Sequence, residues 1–296
     1  MGESKNERQI LGVNFFVGDM ATAIERISHG GLLVVPAAPA LKDLGWNGSY
    51  REALLNSDLV ITDSAFMVLL WNLFERDSIP RLSGLRYLRV LLGQMDVRTS
   101  GNTLWVMACE ASAQKNLRWL RTHGIEVPPS HVYLAPLYGD QIEDPALIDK
   151  MRQLRPMHVI ITIGGGKQER LGSYIKRQME YLPAIHCIGA AVAFLSGDQV
   201  RIPVWADQLY LGWLFRCISE PRRYIPRYWS ALRLAPMLWR YRSRLPVEPG
   251  MSAVLPQGQQ DPIDASRKSP AFQDEQLAAR GEEFALQGAP RAQGPR

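Results

Sequence analysis

The segment IITIGGGKQERLGSYIKRQ, residues 160–178, decides the fold class of this chain. The residues Val159–Ile163 are mostly apolar and show no clear alternation with polar ones, which is typical of a strand buried on both faces. Three glycines at 164–166 end the run, and an amphipathic pattern begins at Lys167. A buried strand, a tight turn and a helix in this order predict one unit of a parallel sheet covered by helices.

Outward from this segment the same unit repeats. Other short apolar runs occur at Leu32–Pro36, Leu59–Thr62, Leu104–Ala108, Val132–Ala135 and Ile185–Gly189. Amphipathic segments separate them, at 20–29, 49–56, 64–75, 84–95, 110–123 and 143–154. Asp19 and the pair Asp144-Pro145 are predicted helix starts, because Asp is a favoured N-cap and Pro suits the first helical position. The sequence predicts an α/β fold with a mostly parallel, Rossmann-like sheet flanked by helices.

The positive charge of the chain is concentrated in one stretch. The 296 residues hold 34 Lys+Arg and 29 Asp+Glu, which gives a net charge of +5. Residues 1–200 sum to zero, residues 201–244 to +7 and residues 245–296 to −2. A protein coated for nucleic-acid binding would spread its charge over the folded body, so this partition favours a local anionic partner.

The stretch after residue 203 has a different composition. Strand patterns stop, Arg and aromatic residues interleave, and Pro221, Pro226 and Pro236 are predicted to divide the stretch into two or three short helices. From about residue 245 the chain is rich in Pro, Gly, Gln, Ala and Ser, which predicts a disordered tail. We therefore expect an α/β core at 1–203, a basic aromatic helical appendage at 204–244 and a tail at 245–296.

Cysteine usage and hydropathy indicate a cytoplasmic protein. Cys109, Cys187 and Cys217 are odd in number and widely spaced, which predicts reduced thiols rather than a disulfide framework or a zinc site. No stretch reaches about 18 uninterrupted apolar residues, so no spanning helix is predicted. The N-terminus has no signal-peptide pattern. Any membrane contact is expected to be peripheral.

Two places in the predicted core could hold chemistry. At 164–166, glycines let a ligand approach the backbone and the following helix N-terminus attracts anions, so a phosphate-binding turn and a plain tight turn are both open. Asp63 follows the run Leu59–Thr62, at the end of the strand where open α/β sheets bind ligands. Its carboxylate could accept a proton from a hydroxyl, or it could cap the helix that starts near Ser64. Arg81, in the next loop, could pair with a phosphate or be a solvated surface residue.

The Arg and aromatic residues of 201–244 have three interpretations. Aromatic rings prefer the headgroup level of a membrane and Arg binds phosphate, which favours a peripheral membrane surface. Bases stacked over a basic groove would make the stretch a single-stranded nucleic-acid site, which the neutral body at 1–200 argues against. The third interpretation is a packed helical subdomain with a charged outer face.

By order and spacing, three blocks resemble the WecG/TagA/CpsF glycosyltransferase family. They are NSDLVITDS with LSGLRYL within residues 56–88, GGGKQER at 164–170, and IGAAVAFLSGDQVRIPVWADQLYLGWLFRCISEPRRYIPRY at 188–228. The resemblance extends from about Leu11 to Tyr241, and the third block is its most specific part.

The resemblance implies a bacterial enzyme on the inner face of the plasma membrane. Such an enzyme moves a sugar from a nucleotide (UDP) sugar to a polyprenyl-diphosphate-linked saccharide in exopolysaccharide or cell-surface polysaccharide synthesis. Inversion at the sugar, no cofactor and no metal in the site are implied with it. Nucleic acid is not an expected partner, and a homo-oligomer is compatible with the sequence.

The resemblance also implies roles for individual residues. Asp63 matches the family's catalytic Asp, a general base for the acceptor hydroxyl. The positions that match its substrate-binding residues are Arg81, Gly165, Gly166, Lys167, Gln168 and Glu169. In the appendage, Arg216, Arg222 and Arg223 would meet the lipid diphosphate.

The chain departs from the family pattern near the first predicted strand. The family's Thr-x-Asn aligns with Pro36-Ala37-Ala38, which removes an amide donor to the sugar or nucleotide. Ser64, Arg86 and Gly166 stand where the family has Gly, Asp and Pro. A donor sugar without an N-acetyl group, such as glucose, would account for the first change. The alternative function is a catalytically impaired relative that binds nucleotide sugar or scaffolds a polysaccharide assembly complex.

Overall fold

Eight strands form one sheet in the computed structural model, which describes residues 6–199, 206 and 212–246. The strands are β1 (Glu7–Ile10), β2 (Val13–Phe16), β3 (Gly31–Val34), β4 (Leu59–Ile61), β5 (Thr103–Met107), β6 (Val132–Leu134), β7 (His158–Ile161) and β8 (Ala184–Cys187). Their order is β1-β2-β4-β3-β8-β7-β5-β6, and every neighbouring pair is parallel except the β1–β2 hairpin. The prediction of a mostly parallel α/β sheet is confirmed.

Helices connect the strands and cover both faces of the sheet. They are α1 (Met20–Ser28), α2 (Ala38–Leu41), α3 (Gly48–Leu55), α4 (Ala65–Glu75), α5 (Gly84–Leu91), α6 (Met95–Arg98), α7 (Glu110–Thr122), α8 (Pro145–Leu154), α9 (Lys167–Gln178) and α10 (Ala191–Ser196), with a 3₁₀ turn at Pro129–His131. The side chains of Asp19 and Asp144 cap α1 and α8, as predicted.

Alternate residues of each buried strand enter different hydrophobic cores. Leu32 and Val34 of β3 pack on one face with α3, α4, α8 and α9, whereas Leu33 packs on the other face with α1, α5, α7 and α10. Because both faces of the inner strands are covered, these strands are apolar throughout. The six apolar runs found in the sequence are β3 to β8. The hairpin β1–β2 at the sheet edge was not predicted.

The C-terminal stretch forms α11 (Gly212–Ser219), α12 (Pro221–Ala231) and α13 (Leu234–Tyr241). The predicted division into short helices is confirmed, with breaks just before Pro221 and Pro236, whereas the predicted break at Pro226 is wrong. Pro221 and Pro236 both lie in the first turn of a helix, where a missing N–H costs no hydrogen bond, and α12 continues through Pro226.

Helix α13 is packed into the same core as α4. Leu234 and Leu238 are fully buried there, and the turn between β1 and β2 donates backbone hydrogen bonds from Leu11 to Arg242 and from Gly12 to Ser243. The end of the appendage is therefore integral to the folded body. The proposed tail falls outside the described residues from 247 onward, as do 200–205 and 207–211 of the third family block.

Within 6–199, 206 and 212–246, no helix combines the length and the apolar character needed to cross a bilayer. Cys109, Cys187 and Cys217 are free thiols.

Candidate active site

Asp63 lies just past the carboxyl end of β4, and its side chain is 26% exposed. Its Oδ1 accepts a hydrogen bond of 2.8 Å from the backbone N–H of Gly84, the first residue of α5. The free amides and the dipole at a helix N-terminus favour a negative charge there. One carboxylate oxygen is thus fixed by α5, which sets the orientation of the carboxylate.

The alternative that Asp63 caps α4 is wrong. Ser64 is the N-cap of α4, and its side chain accepts a hydrogen bond from the N–H of Met67. Because Ser64 satisfies the first turn of its own helix, Asp63 can serve a helix that begins 21 residues later. The carboxylate therefore links β4 to α5.

Arg81 holds the loop between α4 and α5 against the end of β4. Its Nε donates to the backbone oxygen of Asp63 at 2.7 Å, and its guanidinium lies 3.5 Å from Asp63 Oδ1. Thr62 secures the same loop, donating from Oγ1 to the carbonyl of Pro80 at 2.7 Å and accepting from the N–H of Leu82. Arg81 is thus both a cation beside the carboxylate and a backbone clamp, and Thr62 is a contributor that the sequence did not single out.

Gly84 must be glycine for this arrangement. A Cβ placed on it would come 2.8 Å from Cγ1 of Val35, at the end of β3, and 3.7 Å from Oδ1 of Asp63. The close approach of α5 to β3 is what lets the first amide of the helix reach the carboxylate. Glycine is therefore required at position 84 by the packing of α5 on β3, which only the tertiary structure shows.

The turn at 164–166 ends β7 and begins α9. Gly166 has φ +87, a conformation that favours glycine, and an added Cβ there would meet nothing within 4 Å. At Gly165 an added Cβ would lie 4.0 Å from Ala40 of α2. The outer side of the turn is open, so a ligand can approach its backbone closely.

Gln168 and Glu169 shape this turn from inside. Gln168 is buried and accepts a hydrogen bond of 2.6 Å from the N–H of Gly189, which follows β8. Glu169 is fully buried, and its Oε2 accepts a 2.6 Å bond from the N–H of Gly166. Burial raises the pKa of the Glu169 carboxyl to about 7. Both side chains accept hydrogen bonds from backbone N–H groups, so in this structure they fix the conformation of the glycine turn.

Lys167 and Arg170 tie α9 to the loop that follows β6. Lys167 Nζ donates to the carbonyl of Gly139, and Arg170 donates to the carbonyl of Asp140 at 2.8 Å. Burial and the nearby charge of Arg170 lower the pKa of Lys167. A partly desolvated ammonium therefore sits at the first position of α9, beside the glycine turn.

Replacing Glu169 with glutamine should flatten the pH dependence of stability. The unfolded carboxyl titrates near 4.5 and the folded one near 7. The stability that the protonated group contributes below the unfolded pKa is lost as the pH rises through 7. This loss amounts to roughly 3 kcal/mol for the wild type and is absent in the variant, whose amide oxygen can still accept from Gly166.

Urea unfolding at about pH 4.5 and about pH 8 would measure this difference. Glu52→Gln in α3 is the matched control, because the Glu52 side chain is 61% exposed and pairs with the surface residue Arg177 at 3.5 Å. Equal pH dependence of the wild type and Glu169→Gln would contradict the assignment.

The two halves of the candidate site lie on the same edge of the sheet. Asp63 follows β4 and the glycine turn follows β7, with β3 and β8 between them. Three strand spacings place the two groups roughly 14 Å apart. The short helix α2, which contains Ala38 and begins after Ala37, lies between them, and Ala37 caps it without a side-chain hydrogen bond. The positions aligned with the family's Thr-x-Asn thus have no side-chain donor.

Arg216 of α11 is brought to the Asp63 side of the site. Its guanidinium lies over the ring of Phe194 at 4.4 Å and donates to Tyr228 Oη at 3.2 Å. Phe194 packs with Leu85, the neighbour of Gly84, in a small apolar cluster. Arg216 Nε is buried without a hydrogen-bond partner among the described residues.

The remaining predicted residues are less constrained. Arg222 is exposed on α12, and the side chain of Arg223 lies outside the described residues. Across the described part of the chain, His, Cys, Asp and Glu form no group of three or more that could hold a metal ion. The metal-free reaction stays a prediction.

Comparisons with known proteins point the same way as the sequence blocks. The model of the "Glycosyl transferase WecG/TagA/CpsF family" matches residues 8–247. A Bacillus spizizenii (strain W23) protein, named N-acetylglucosaminyldiphosphoundecaprenol N-acetyl-beta-D-mannosaminyltransferase, is 24% identical over 211 residues, which cover 68% of this chain and 79% of its own. A Bacillus subtilis (strain 168) protein of the same name is 24% identical over 200 residues, 65% of this chain and 73% of its own.

Proposed function

The chain belongs to the WecG/TagA/CpsF family of glycosyltransferases, and from this premise we propose that it moves a sugar from a UDP-sugar to a polyprenyl-diphosphate-linked saccharide at a membrane surface. The observation that carries the proposal is Asp63, partly exposed at the carboxyl edge of the sheet and fixed through one oxygen by Gly84. The names of the two Bacillus relatives support an acceptor that ends in N-acetylglucosaminyl diphosphoundecaprenol.

Asp63 acts as the general base in this proposal. The acceptor hydroxyl attacks the anomeric carbon of the donor sugar, and its proton passes to the free oxygen of the Asp63 carboxylate. The bond between that carbon and the diphosphate breaks, and the nucleoside diphosphate leaves with the electron pair. A single displacement of this kind inverts the anomeric centre. A positioned base contributes about 10²–10⁴-fold to such a step.

The leaving group is stabilised by the backbone and by cations. In this proposal the open glycine turn lets phosphate oxygens approach the N-terminus of α9, where the helix dipole favours a negative charge. Lys167 adds a positive charge at the same end of the helix. In this role Gln168 and Glu169 keep the turn in shape from beneath. Arg81 and Arg216 are cations on the opposite, acceptor side, where the diphosphate of the lipid would lie.

The membrane contact is proposed for α11 to α13. These helices expose large apolar side chains and arginines together: Trp213, Ile218, Ile225, Trp229, Leu232 and Trp239 with Arg222, Arg233 and Arg240. Apolar groups enter the headgroup region while arginines bind lipid phosphate. In this proposal the protein lies peripherally on the inner face of the plasma membrane, and the lipid-linked acceptor reaches Asp63 from the bilayer.

The direct test is transfer to a synthetic undecaprenyl-diphosphate N-acetylglucosamine. Purified protein and this acceptor are incubated with UDP-N-acetylmannosamine, UDP-N-acetylglucosamine or UDP-glucose in separate reactions. The mass of the lipid product is then measured by mass spectrometry. A mass gain of one sugar from any donor supports the proposal. Because Ala37 and Ala38 lack the family's donor side chains, UDP-glucose is included beside the N-acetylated sugars.

The second candidate function is a non-catalytic relative, and the same two alanines favour it. It predicts saturable binding of a UDP-sugar with no transfer to acceptors that differ in their terminal sugar. Calorimetric titration of the donor, run beside the transfer assay, separates the two functions.

A further inference from the structure

A hydrogen-bonded chain of four side chains crosses the core beneath the active site. The hydroxyl of Tyr87 lies 2.8 Å from Nδ1 of His186, and Nε2 of His186 lies 3.2 Å from Nδ1 of His158. Nε2 of His158 lies 2.9 Å from Oδ2 of Asp96. The first three side chains are buried, whereas the Asp96 side chain is 37% exposed. The chain therefore runs from solvent into the middle of the sheet.

The number of protons fixes the direction of these hydrogen bonds. An ionised Asp96 accepts from His158 Nε2–H, so the neutral His158 presents Nδ1 as an acceptor. His186 must then donate from Nε2, which leaves its Nδ1 to accept the Tyr87 O–H. Every polar atom of the chain is satisfied when the two histidines are neutral, as buried polar groups require.

These hydrogen bonds join α5, β8 and β7, three of the elements that position the candidate active site. Tyr87 lies one turn after Gly84, whose N–H holds Asp63. His186 belongs to β8, which leads to Gly189 and its bond to Gln168. His158 belongs to β7, the strand that ends in the glycine turn. The hydrogen bonds thus fix α5 against the two strands that support the other half of the site.

The remaining neighbours of the histidine pair are not ionisable. In the described residues, Leu33 of β3 and Ile160 of β7 stand opposite His186, and Thr103 of β5 and Ala184 of β8 stand opposite His158. Helix α1 packs on β8 and buries Met20, Ala23, Ile24 and Ile27. Among the described residues, Tyr87 and Asp96 are the ionisable groups that bond directly to the pair.

We propose that Tyr87, His186 and His158 are positioning residues of the active site, and that uptake of a proton by the histidine pair releases α5 and with it Asp63. The inference rests on the proposed function only for what Asp63 does. Its structural part, the release of α5, holds for any activity of this edge of the sheet.

Proton uptake is incompatible with the neutral arrangement for a simple reason. A proton added to either histidine places N–H groups on both sides of the pair, so His186 Nδ1 must donate to the Tyr87 oxygen. The Tyr87 O–H then has no acceptor among the residues that the structure describes, which costs free energy for a buried hydroxyl. Burial and the charge of His158 already hold the pKa of His186 well below its usual range. Movement of α5 would carry the Tyr87 hydroxyl out of this buried position, so that it can bond to water.

Hydrogen–deuterium exchange against pH tests this coupling on the full-length protein. Exchange of the peptide that covers α5, normalised to an unstructured peptide at each pH, is compared with the titration of the histidine ring nitrogens followed by NMR. We expect exchange of α5 to accelerate at least about fivefold, with the same midpoint as the histidine titration. Exchange of α5 that ignores that titration would overturn the proposal.

Two isosteric variants sharpen the test. Asp96→Asn still accepts from His158 but removes the charge that favours the protonated pair, so both midpoints should move down by about one pH unit. Tyr87→Phe removes the hydroxyl whose hydrogen bond to His186 must change direction on protonation. The histidines should therefore still titrate, while the exchange rate of α5 no longer changes with their titration. A midpoint unmoved by Asp96→Asn, or α5 exchange in Tyr87→Phe that still follows the histidines, would argue that the chain is packing alone.

Activity gives a separate reading. In the transfer assay the acid limb of kcat should coincide with the exchange midpoint and shift with it in Asp96→Asn, with the plateau kcat and KM unchanged. If the wild type transfers no sugar, the proposed function fails, and exchange and NMR still decide the positioning role. If transfer occurs but its acid limb ignores Asp96→Asn, the positioning role fails and the proposed function stands.

Discussion

Replacement of Asp63 by asparagine is expected to lower kcat for sugar transfer by about 10²–10⁴-fold, because the acceptor hydroxyl would lose the general base proposed for it. Asparagine has the same shape, and its oxygen can still accept the hydrogen bond from Gly84 that orients the side chain. The effect should therefore fall on the chemical step, with the affinity for the UDP-sugar changed by less than about threefold.

Asp58→Asn is the matched control for this experiment. Asp58 lies at the opposite end of β4, accepts a 2.7 Å hydrogen bond from the backbone N–H of Leu32 and pairs with Lys176. Like Asp63, it is a carboxylate that joins two elements, but it is at the amino edge of the sheet. Initial rates and donor titrations of both variants would be compared with the wild type. An undiminished rate in Asp63→Asn would remove Asp63 from the role of base.

Residue pattern alone predicts the parts of the fold whose causes are local. The inner strands are recognisable because burial on both faces leaves no room for polar residues, and the caps at Asp19 and Asp144 depend on neighbours three residues away. β1 and β2 escape prediction because each is short and one pairs only at the sheet edge, so ERQI and VNFF have no continuous apolar run.

The sequence predicts where the site residues lie in the fold, but not which groups they contact. Sequence places Asp63 and Gly164–Gly166 after strands, and the carboxyl ends of parallel strands meet at one edge. It cannot show that Asp63 serves α5 rather than α4, because that depends on the close approach of Gly84 to Val35. The histidine pair is equally hidden, since His158 and His186 each read as a single polar residue in an apolar run and meet only when β7 pairs with β8.

The appendage shows the same division between local and tertiary causes. Its composition predicts helices and a basic, aromatic surface, but it does not reveal that Leu234 and Leu238 of α13 are core residues. Removing everything after residue 203 would therefore expose part of the core packed against α4. A test of membrane binding has to use substitutions on the exposed face instead.

The exposed face of α12 is expected to bind membranes through apolar insertion. Ile225, Trp229 and Leu232 recur at helical spacing on one side, and Trp229 is 74% exposed. On the neighbouring α11, Ile218 is 71% exposed. The triple variant Ile218→Ser, Ile225→Ser, Trp229→Ser should weaken binding to vesicles of phosphatidylglycerol and phosphatidylcholine by roughly 100- to 1,000-fold, which corresponds to roughly 3–4 kcal/mol of lost apolar burial.

A matched triple variant separates membrane insertion from a general loss of surface hydrophobicity. Met95, Met157 and Leu182 are also exposed, and Met157 and Leu182 precede the amino ends of β7 and β8, at the edge of the sheet away from Asp63. Serine at these three positions should leave vesicle co-sedimentation within about twofold of the wild type, because the α12 face is unchanged. The fold should also be retained, since surface substitutions rarely change the free energy of unfolding by more than about 0.5 kcal/mol. Equal losses in both triple variants would show that the α12 face has no special role.

Salt separates the apolar contribution from the electrostatic one. Raising the ionic strength to about 1 M shortens the Debye length to about 3 Å and should suppress the part of binding due to the exposed arginines, about 1 kcal/mol for each one near the lipid phosphates. The apolar part survives high salt, so the serine triple variant should lose nearly all its remaining binding there while the wild type keeps a measurable fraction. Wild-type binding abolished by salt alone would mean that Ile225 and Trp229 stay outside the bilayer and that arginines alone hold the protein at the membrane.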